Sequence, residues 1–323
     1  MSSAYLIGTD EAGYGPNLGP LVVSATLWEL PDQLLDAGLY GLLADAVSAD
    51  GRNVTGNDRI AIADSKSLYH SRGSMAALER GVLAVLATLG DRPTSWHQVL
   101  DALAPGSEAG RASLPWYRQF EQELPVHADR EDTVARGQRL RHTLQGIGVR
   151  LRGIRSRVVW VPQFNELIQI HGNKASVLSR TTLELVRDLI GETTRGPIRV
   201  VCDKHGGRNK YAGLLQEIAG PGLVQVVTES RAESRYRFGP LSRRVDIRFS
   251  AGGEQFLPAA LASMVSKYLR ELAMMALNRY WCGAVNGLKP TAGYPTDAKR
   301  WLADVASTKK QLQVDDRLLW RCR

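Results

Sequence analysis

Residues 5–20, which read YLIGTDEAGYGPNLGP, decide both the fold and the place of the chemistry. A short apolar run leads directly into the adjacent acids Asp10 and Glu11, and a cluster of glycine, asparagine and proline follows. A second apolar run, residues 21–28, comes next. Apolar runs of this length, flanked by glycine and proline, are typical of buried strands. We therefore predict a hairpin in which two carboxylates stand where the first strand ends.

This arrangement suits a metal ion. A carboxylate on a rigid strand can hold Mg²⁺ or Mn²⁺ with little reorganisation, because these hard cations prefer oxygen ligands. Glycines allow a ligand to approach the backbone closely, since no Cβ obstructs it. The alternative is a surface turn whose two acids are only solvated, and a loose glycine pattern does not decide between the two.

The composition indicates a globular protein with a polyanionic partner. The 323 residues are 44% hydrophobic and 23% charged, and the formal net charge is +8. Such a charge favours phosphate-bearing partners because each neutralised phosphate releases counterions. No apolar run approaches the ~18 residues of a membrane helix, and the N-terminus has no signal-peptide pattern. The three cysteines are too few and too scattered for a disulfide framework or a zinc site, so we expect a cytoplasmic protein without a membrane partner.

Further acids stand where other predicted strands end. Asp203 ends a strand at 198–203, and Glu254 follows a strand at 245–249 through two glycines. If these strands are neighbours in one sheet, their acids converge with Asp10 at one edge, where ligands bind in open α/β sheets. Converging carboxylates repel one another unless cations lie between them. Two metal ions about 3.5–4 Å apart can activate a water and stabilise the leaving oxygen of a phosphodiester. The alternative, that these acids never meet, stays open at this point.

The middle of the chain differs from both ends. Helices are predicted at 32–50, 76–89, 165–190 and 258–277, whereas prolines and mixed charges break the apolar periodicity between residues 90 and 150. The aromatic stretch 114–120 is interpreted as a hydrophobic plug, with base stacking as the alternative. A group of arginines near and just beyond the end of residues 90–150 forms either a solvated face or a nucleic-acid track. These residues are Arg136, Arg139, Arg141, Arg150, Arg152, Arg155 and Arg157.

Five stretches, in order, resemble the motifs of the type 2 ribonuclease H family, the ribonucleases HII and HIII. DEAGYGP at 10–16, followed by GPLVV, is similar to the opening motif, and DSKSL at 64–68 is similar to the second. VVCD at 200–203 resembles the strand that carries the third acid, and Gly-Glu at 253–254 with the following helix resembles the fourth. GYPT at 293–296 matches a motif near the end. The matching parts are roughly residues 4–86 and 155–301, most of the chain.

The resemblance implies an α/β, RNase H-like fold, a mixed β-sheet flanked by helices, with two-metal hydrolysis of the RNA strand of RNA–DNA hybrids. We expect a monomer with a discontinuous RNase H-like catalytic core at 1–89 and 151–277, an insertion at 90–150 and a C-terminal helical extension at 278–323. The implied ligands of Mg²⁺ or Mn²⁺, which are also the catalytic residues, are Asp10, Glu11, Asp203 and Glu254. The implied nucleic-acid contacts are Gly13, Tyr14 and Gly15 at the 2′-OH, Tyr294 at the sugar, and Ser65, Lys66, Ser263 and Lys267 at phosphates.

The chain departs from the family pattern at three places. Tyr14 stands where the HII type usually has arginine, and Asp203 is followed by lysine and histidine rather than glycine. Glu254 replaces the usual aspartate and lies one residue closer to Ser263 than expected, which leaves Asp246 as the alternative fourth ligand. Tyr14 puts the preference for a single embedded ribonucleotide in question. The longer side chain of Glu254 can shift the metal ion, and a sub-ångström shift is enough to change the reaction rate.

Two other functions remain to be compared with the nuclease. One is a catalytically impaired protein of the same fold that binds hybrids without cutting them. The other is a sugar-kinase-like ATPase, because GTD at 8–10 resembles the opening of that related fold. The kinase is disfavoured since the later motifs fit the nuclease and the chain is short for two such lobes.

Overall fold

The computed structural model of the chain describes residues 2–50, 58–69, 74–220 and 222–322, with Glu254 described by its backbone alone. The strands are β1 (Ser3–Ala12), β2 (Leu21–Pro31), β3 (Val47–Ser48), β4 (Ile60–Ala61), β5 (Arg150–Val159), β6 (Ile198–Asp203), β7 (Gln225–Glu229), β8 (Glu233–Phe238) and β9 (Val245–Ser250). The helices are α1 (Leu39–Leu42), α2 (Ser65–Leu68), α3 (Ala76–Leu89), α4 (Trp96–Leu103), α5 (Glu108–Ala112), α6 (Pro115–Arg118), α7 (Arg130–Ile147), α8 (Val161–His171), α9 (Lys174–Gly191), α10 (Ala212–Ile218), α11 (Leu257–Ala284), α12 (Pro295–Asp304), α13 (Ala306–Gln311) and α14 (Asp316–Leu319).

The long strands of the described residues form one mixed seven-stranded sheet in the order β5-β2-β1-β6-β9-β8-β7. At its centre β1, β6 and β9 run parallel, and antiparallel neighbours extend the sheet on both sides. The register aligns Thr9 with Cys202 and Asp203 with Ser250. The three parallel strands therefore end together at one edge of the sheet.

Helices cover the central strands on both faces. Tyr5 and Ile7 point into an apolar layer that also contains residues of α8, α9 and α10. The opposite face packs against α11, most of whose 28 residues are buried. The contact is closest at Gly8, where an added Cβ would lie 2.1 Å from the carbonyl carbon of Pro258. The predicted fold class is confirmed: an α/β mixed sheet flanked by helices, with a helical C-terminal part.

The element predictions were mostly right where the pattern was local. The helix at 76–89 and the strand at 198–203 are confirmed to the residue. The helix predicted at 32–50 is wrong, because only a 3-10 turn at Asp32–Leu34 and the single turn of α1 form there. Gly38, with a φ of 72°, separates the two turns, and the strand β3 follows, which the leucine spacing had concealed.

A second strand, β8, was also missed, and the structure content of residues 90–150 was underestimated. In β8 the buried Tyr236 and Phe238 alternate with arginines, so the stretch looks charged although one of its faces belongs to the core. Residues 90–150, in which the periodicity is broken, contain α4 to α7. Their apolar side chains join the same hydrophobic cluster as α3 and α11.

The aromatic stretch 114–120 is a plug, as interpreted. Trp116 and Tyr117 are buried, and their rings lie 6.3 Å from that of Trp281 and 4.6 Å from that of Trp160. Rings inside the core cannot stack on nucleic-acid bases. The arginines near the end of the insertion favour the solvated-face interpretation, because they contact acids or backbone carbonyls of the chain itself.

No helix of the described residues is long and apolar enough to cross a membrane.

A fully buried carboxylate joins the insertion to the core. Glu79 of α3 accepts the backbone N–H groups of Val126 (2.8 Å), His127 (2.7 Å) and Ala128 (2.9 Å). It also accepts the hydroxyl of Tyr268 on α11, at 2.9 Å. A buried charge is tolerated only when hydrogen bonds replace its lost hydration. These four bonds therefore hold α3, α11 and residues 126–128 in one arrangement.

Replacing Glu79 should be costly. We expect Glu79→Gln to lower the free energy of unfolding by about 2–4 kcal/mol, because an uncharged amide weakens every bond and turns one acceptor into a donor. Urea denaturation followed by circular dichroism measures the change. The control is Glu166→Gln on the exposed face of α8, which should change stability by less than about 0.5 kcal/mol. Equal stabilities for the two variants would contradict the role assigned to Glu79.

Candidate active site

Three carboxylates meet where the parallel strands end. Asp10 and Glu11 lie near the end of β1, and Asp203 is the last residue of the adjacent β6. The N–H of Glu11 donates to Oδ1 of Asp10 at 2.8 Å, and the Asp10 carbonyl accepts the hydroxyl of Ser266 on α11 at 3.0 Å. The structure therefore brings Asp10, Glu11 and Asp203 together.

The electrostatics of this edge are unfavourable without a cation or a proton. The pKa of Glu11 is raised well above its ordinary value, mainly by burial and then by the charges of Asp10 and Asp203. A hydrogen bond with the Asp10 side chain acts in the same direction. Carboxylates that share a buried site cannot all ionise cheaply. The cluster is thus suited to binding positive charge.

The position of the predicted fourth acid is set by a tight backbone contact. The side chain of Glu254 lies outside the described residues, but the turn Gly253–Gln255 packs directly on Asp203. The N–H of Gly253 lies 3.4 Å from Oδ1 of Asp203, and an added Cβ would lie 3.2 Å from the Asp203 nitrogen. A side chain at residue 253 would therefore crowd the backbone of Asp203 and would require a shift of a few tenths of an ångström.

Asp246 does not fit the role of the fourth ligand. It pairs with Arg199, four residues before Asp203 on β6, which places it about 13 Å from the carboxylate edge. Its two oxygens accept hydrogen bonds of 2.7–2.8 Å from Arg235 and Arg237. A carboxylate neutralised by two guanidinium groups has little left to offer a metal ion.

The carboxylate oxygens of Asp10, Glu11 and Asp203 are of the chemical type that binds divalent cations. Oxygen ligands and mutual repulsion are the features that Mg²⁺ and Mn²⁺ satisfy. Within residues 2–50, 58–69, 74–220 and 222–322, no three His, Cys, Asp or Glu side chains stand close enough to form a metal site as they are. A complete ligand set would therefore need the fourth acid, Glu254, or a small movement of the other three.

The glycine-rich loop brings the first and last motifs together. Gly13 has a φ of 92°, and an added Cβ would lie 2.5 Å from the carbonyl oxygen of Pro20. The N–H of Asn17 donates to the carbonyl of Gly293 at 2.7 Å. The ring of Tyr294, 54% exposed, lies 3.8 Å from the Cβ position of Gly15. The loop thus offers backbone atoms beside an accessible aromatic ring.

The predicted phosphate contacts lie on one side of this loop. Lys66, Lys267 and Tyr294 line a cavity of about 940 Å³, to which the insertion contributes His127. Ser65 and Ser263 are buried, and the Ser263 hydroxyl donates to that of Ser65 at 3.1 Å. Lys66 is thus open to a ligand, Lys267 borders the cavity while paired with Glu271, and the two hydroxyls are already paired with each other.

Lys66 and Lys267 also interact with residues of the chain itself. Asp64 accepts the N–H of Lys66 at 3.1 Å and so caps α2. Lys267 binds Glu271 at 2.7 Å and lies 4.7 Å above the ring of Tyr69. The ammonium group of Lys267 is therefore held in place, and the carboxylate of Glu271 already balances its charge.

Sequence analysis missed the arginine that holds the glycine-rich loop. The Arg321 guanidinium, 2% exposed, donates to the carbonyl oxygens of Gly13 and Pro16 and lies 4.7 Å above the ring of Phe164. Its backbone N–H donates to Asn17 at 2.9 Å. Burial, and then the charge of nearby Arg270, lower the pKa of Arg321 to about 9. No local pattern near the end of the chain signals this role.

A second buried arginine supports the same loop from α11. Arg270 donates to the carbonyl oxygens of Leu18 and Ala292, at 3.4 and 3.1 Å. Arg270 lies on the helix that follows the fourth motif. The sequence could therefore have indicated that Arg270 lies near the site, but not which carbonyl groups it contacts. Together the two guanidinium groups fix the carbonyls of the loop.

Loss of the Arg321 bonds should loosen the loop. We expect amide hydrogen exchange in residues 13–18 to become at least about tenfold faster in Arg321→Met, because the opening free energy falls by the roughly 1.5–3 kcal/mol of a charged hydrogen bond. Exchange followed by mass spectrometry measures this. Arg317→Met, four residues away on exposed α14, is the control and should leave the loop protected. Equal protection in both variants would show that Arg321 does not hold the loop.

Comparison with known proteins returned structures but no sequence families. No family model and no curated protein matches the chain. Similar solved structures include the PCNA–RNase HII complex from Archaeoglobus fulgidus, at 13% identity and a TM-score of 0.45, over 98% of this chain and 94% of the other. Ribonuclease H2 from Pyrococcus horikoshii OT3 matches at 14% identity and a TM-score of 0.43, over 98% and 92%.

A third similar structure is Bst-RNase HIII in complex with Mn²⁺, at 15% identity and a TM-score of 0.39, over 98% of this chain and 66% of the other. These structures carry the names of the family that the sequence motifs resemble. At such identities and TM-scores the likeness carries no argument about activity. What the chain does must be argued from its own residues.

Proposed function

We propose that the chain is a divalent-metal-dependent endoribonuclease that hydrolyses the RNA strand of RNA–DNA hybrids and leaves 5′-phosphate products. The observation that carries the proposal is the meeting of Asp10, Glu11 and Asp203 at the ends of adjacent parallel strands. A cleft lined by lysines and an exposed tyrosine lies on the neighbouring side of the glycine-rich loop. The net charge of +8 supports a polyanionic substrate.

Asp10, Glu11 and Asp203, with Glu254 as the fourth ligand, would hold Mg²⁺ or Mn²⁺. When bound, such ions supply an activated water and positive charge at the leaving oxygen. The chain itself contributes rigidity, because strand ends and the Gly253 contact fix the carboxylates. Because the pKa of Glu11 is raised, the metal-free cluster binds a proton more strongly than an isolated glutamate does, and a cation would compete with that proton.

Recognition of the RNA strand would use backbone atoms and one ring. The 2′-OH both donates and accepts hydrogen bonds, and Gly13 and Gly15 leave the backbone open to it. Tyr294 would stack near the sugar, since its ring is exposed beside Gly15. We assign the phosphate contacts to Lys66 and Lys267. Ser65 and Ser263 would join them only if their mutual hydrogen bond opened.

A hybrid-binding protein that does not cut is the second candidate. It is favoured by the lack, within the described part of the chain, of three carboxylates already arranged around a metal position. A sugar-kinase-like ATPase gains no support, because the described residues form one large sheet where two lobes would be needed. The two remaining candidates differ only in chemistry, so cleavage decides between them.

Cleavage should require the carboxylates at the strand ends. We expect Asp10→Asn and Asp203→Asn to lower the rate of RNA-strand cleavage in a labelled hybrid by roughly 10³-fold or more, since each removes a metal ligand. Binding of the hybrid should persist. Product analysis with Mn²⁺ or Mg²⁺ should show 5′-phosphate ends.

The matched control for cleavage is Asp246→Asn, which should stay within about threefold of the parent protein because Asp246 lies far from the edge. Binding without cleavage by the parent chain would establish the second candidate instead. A comparison of two substrates, one with a lone ribonucleotide and one with a long RNA stretch, measures whether the enzyme prefers a single embedded ribonucleotide. The sequence does not decide this preference, because Tyr14 stands where the HII type usually has arginine.

Metal binding should be visible in stability without any substrate. We expect Mn²⁺ at about ten times its Kd to raise the melting temperature by roughly 2–4 °C relative to protein in EDTA. Asp10→Asn should lose most of this shift. Differential scanning calorimetry measures both, and an unchanged melting temperature in the parent protein would contradict a metal site.

The same measurement has a defined pH dependence. The folded-state pKa of Glu11 is raised, so the folded protein retains a proton that the unfolded chain releases, and metal-free stability falls as pH rises above the ordinary range of glutamate. We therefore expect a larger Mn²⁺ shift at pH 7.5 than at pH 5. In EDTA, Glu11→Gln should lose less stability than the parent protein over that interval.

A further inference from the structure

Tyr14, Lys174 and Arg208 form a second basic group beside the carboxylates, which we call the Tyr14 cluster. The Lys174 ammonium lies 4.7 Å from the centre of the Tyr14 ring. Arg208 belongs to the loop after β6, two residues beyond Gly206, which packs against the Tyr14 hydroxyl. None of the three residues lines the 940 Å³ cavity that contains Lys66 and Lys267. The cluster is therefore separate from the predicted phosphate contacts.

The geometry of the cluster is fixed by the loop after β6. Gly206 has a φ of 57°, and an added Cβ would lie 2.3 Å from the Tyr14 hydroxyl and 3.5 Å from Cβ of Ala175. This glycine lets the loop pass between Tyr14 and the start of α9. Arg208 then reaches α9, where its Nη2 donates to the hydroxyl of Ser176 at 3.3 Å.

The two cations of the cluster have no counter-charge within the described chain. Many arginines of the molecule lie within 4.0 Å of a carboxylate, but among the described residues no acid is that close to Lys174 or Arg208. Nε of Arg208 is buried and finds no hydrogen-bond acceptor in the described residues. A buried donor without an acceptor costs free energy that a ligand oxygen would recover.

Lys174 also stands at an unusual position for a cation. It is the first residue of α9, a helix of 18 residues with no acid in its first turn. The helix dipole makes this end positive, so a lysine there is unfavourable unless an anion is nearby. Together with Arg208 the position favours an anion of one or two negative charges. A phosphodiester of a nucleic-acid strand has that chemistry, and the carboxylate edge beside the cluster is where such a strand would be cut.

We propose that Lys174 and Arg208 bind a phosphate of the substrate strand next to the phosphate at Asp10 and Asp203, with Tyr14 as the rigid support between them. The proposal deepens the proposed function and rests on it. In this proposal the loop after β6 positions a nucleotide that flanks the cleaved one. That nucleotide lies on one side of the glycine-rich loop, and Lys66 and Lys267 lie on the other.

The test measures hybrid binding by protein that carries Asp10→Asn, which separates binding from cleavage. Dissociation constants are determined against salt concentration for Lys174→Met, Arg208→Met and the double variant in that background. We expect the double variant to bind roughly tenfold more weakly near 0.1 M salt and to lose about 0.9 from the slope of log K against log salt for one phosphate contact. Arg187→Met, about 20 Å further along the same helix, should change neither value.

A second measurement locates the contact. Single uncharged methylphosphonate linkages are placed at successive positions of the hybrid. A linkage at one position near the cut should weaken binding of the Asp10→Asn protein. The same linkage should not change the affinity of the double variant. Lys174→Arg and Arg208→Lys should keep the salt slope, which separates loss of charge from loss of folding.

The outcomes distinguish the two proposals. Cleavage by the parent chain with an unchanged salt slope in the double variant overturns the Tyr14 cluster and leaves the nuclease. A changed slope without cleavage by the parent chain overturns the nuclease and retains a phosphate site. A parent chain that does not bind the hybrid overturns both.

Discussion

Repulsion among carboxylates at one sheet edge is the constraint on which the rest of the structure depends. Asp10, Glu11 and Asp203 can stand together only because the adjacent parallel strands β1 and β6 end in register. The raised pKa of Glu11 shows that the arrangement stores electrostatic cost in the folded state. Such a cost persists only when the surrounding packing enforces it, and here the packing is unusually tight.

The long helix α11 supplies that packing. It approaches β1 over Gly8, donates from Ser266 to the Asp10 carbonyl, and carries Arg270 toward the loop. At its N-terminal end the turn at Gly253 rests on Asp203. One helix thus touches the carboxylates, the glycine-rich loop and the sheet, so a shift of α11 would move all three parts of the site.

Buried charges on both sides of α11 connect the peripheral segments to it. Glu79 ties the insertion to α11 through Tyr268, and Arg321 ties the last residues of the chain to the glycine-rich loop. Each charged group forms its hydrogen bonds mainly with backbone atoms, which fixes the backbone rather than another side chain. Residues 90–150 and the last residues of the chain therefore belong to the same packed unit as the strands.

The sequence by itself determined the strands that end in acids, the helix at 76–89, the buried aromatic plug and the carboxylates of the site. These follow from local apolar patterns and from motif order, both of which are written in neighbouring residues. Only the tertiary structure decided that Asp246 lies away from the edge, that Ser65 pairs with Ser263, and that Arg321 holds a loop 305 residues earlier. Register, partner choice and long-range hydrogen bonds depend on which elements pack together, and no local pattern of residues encodes that.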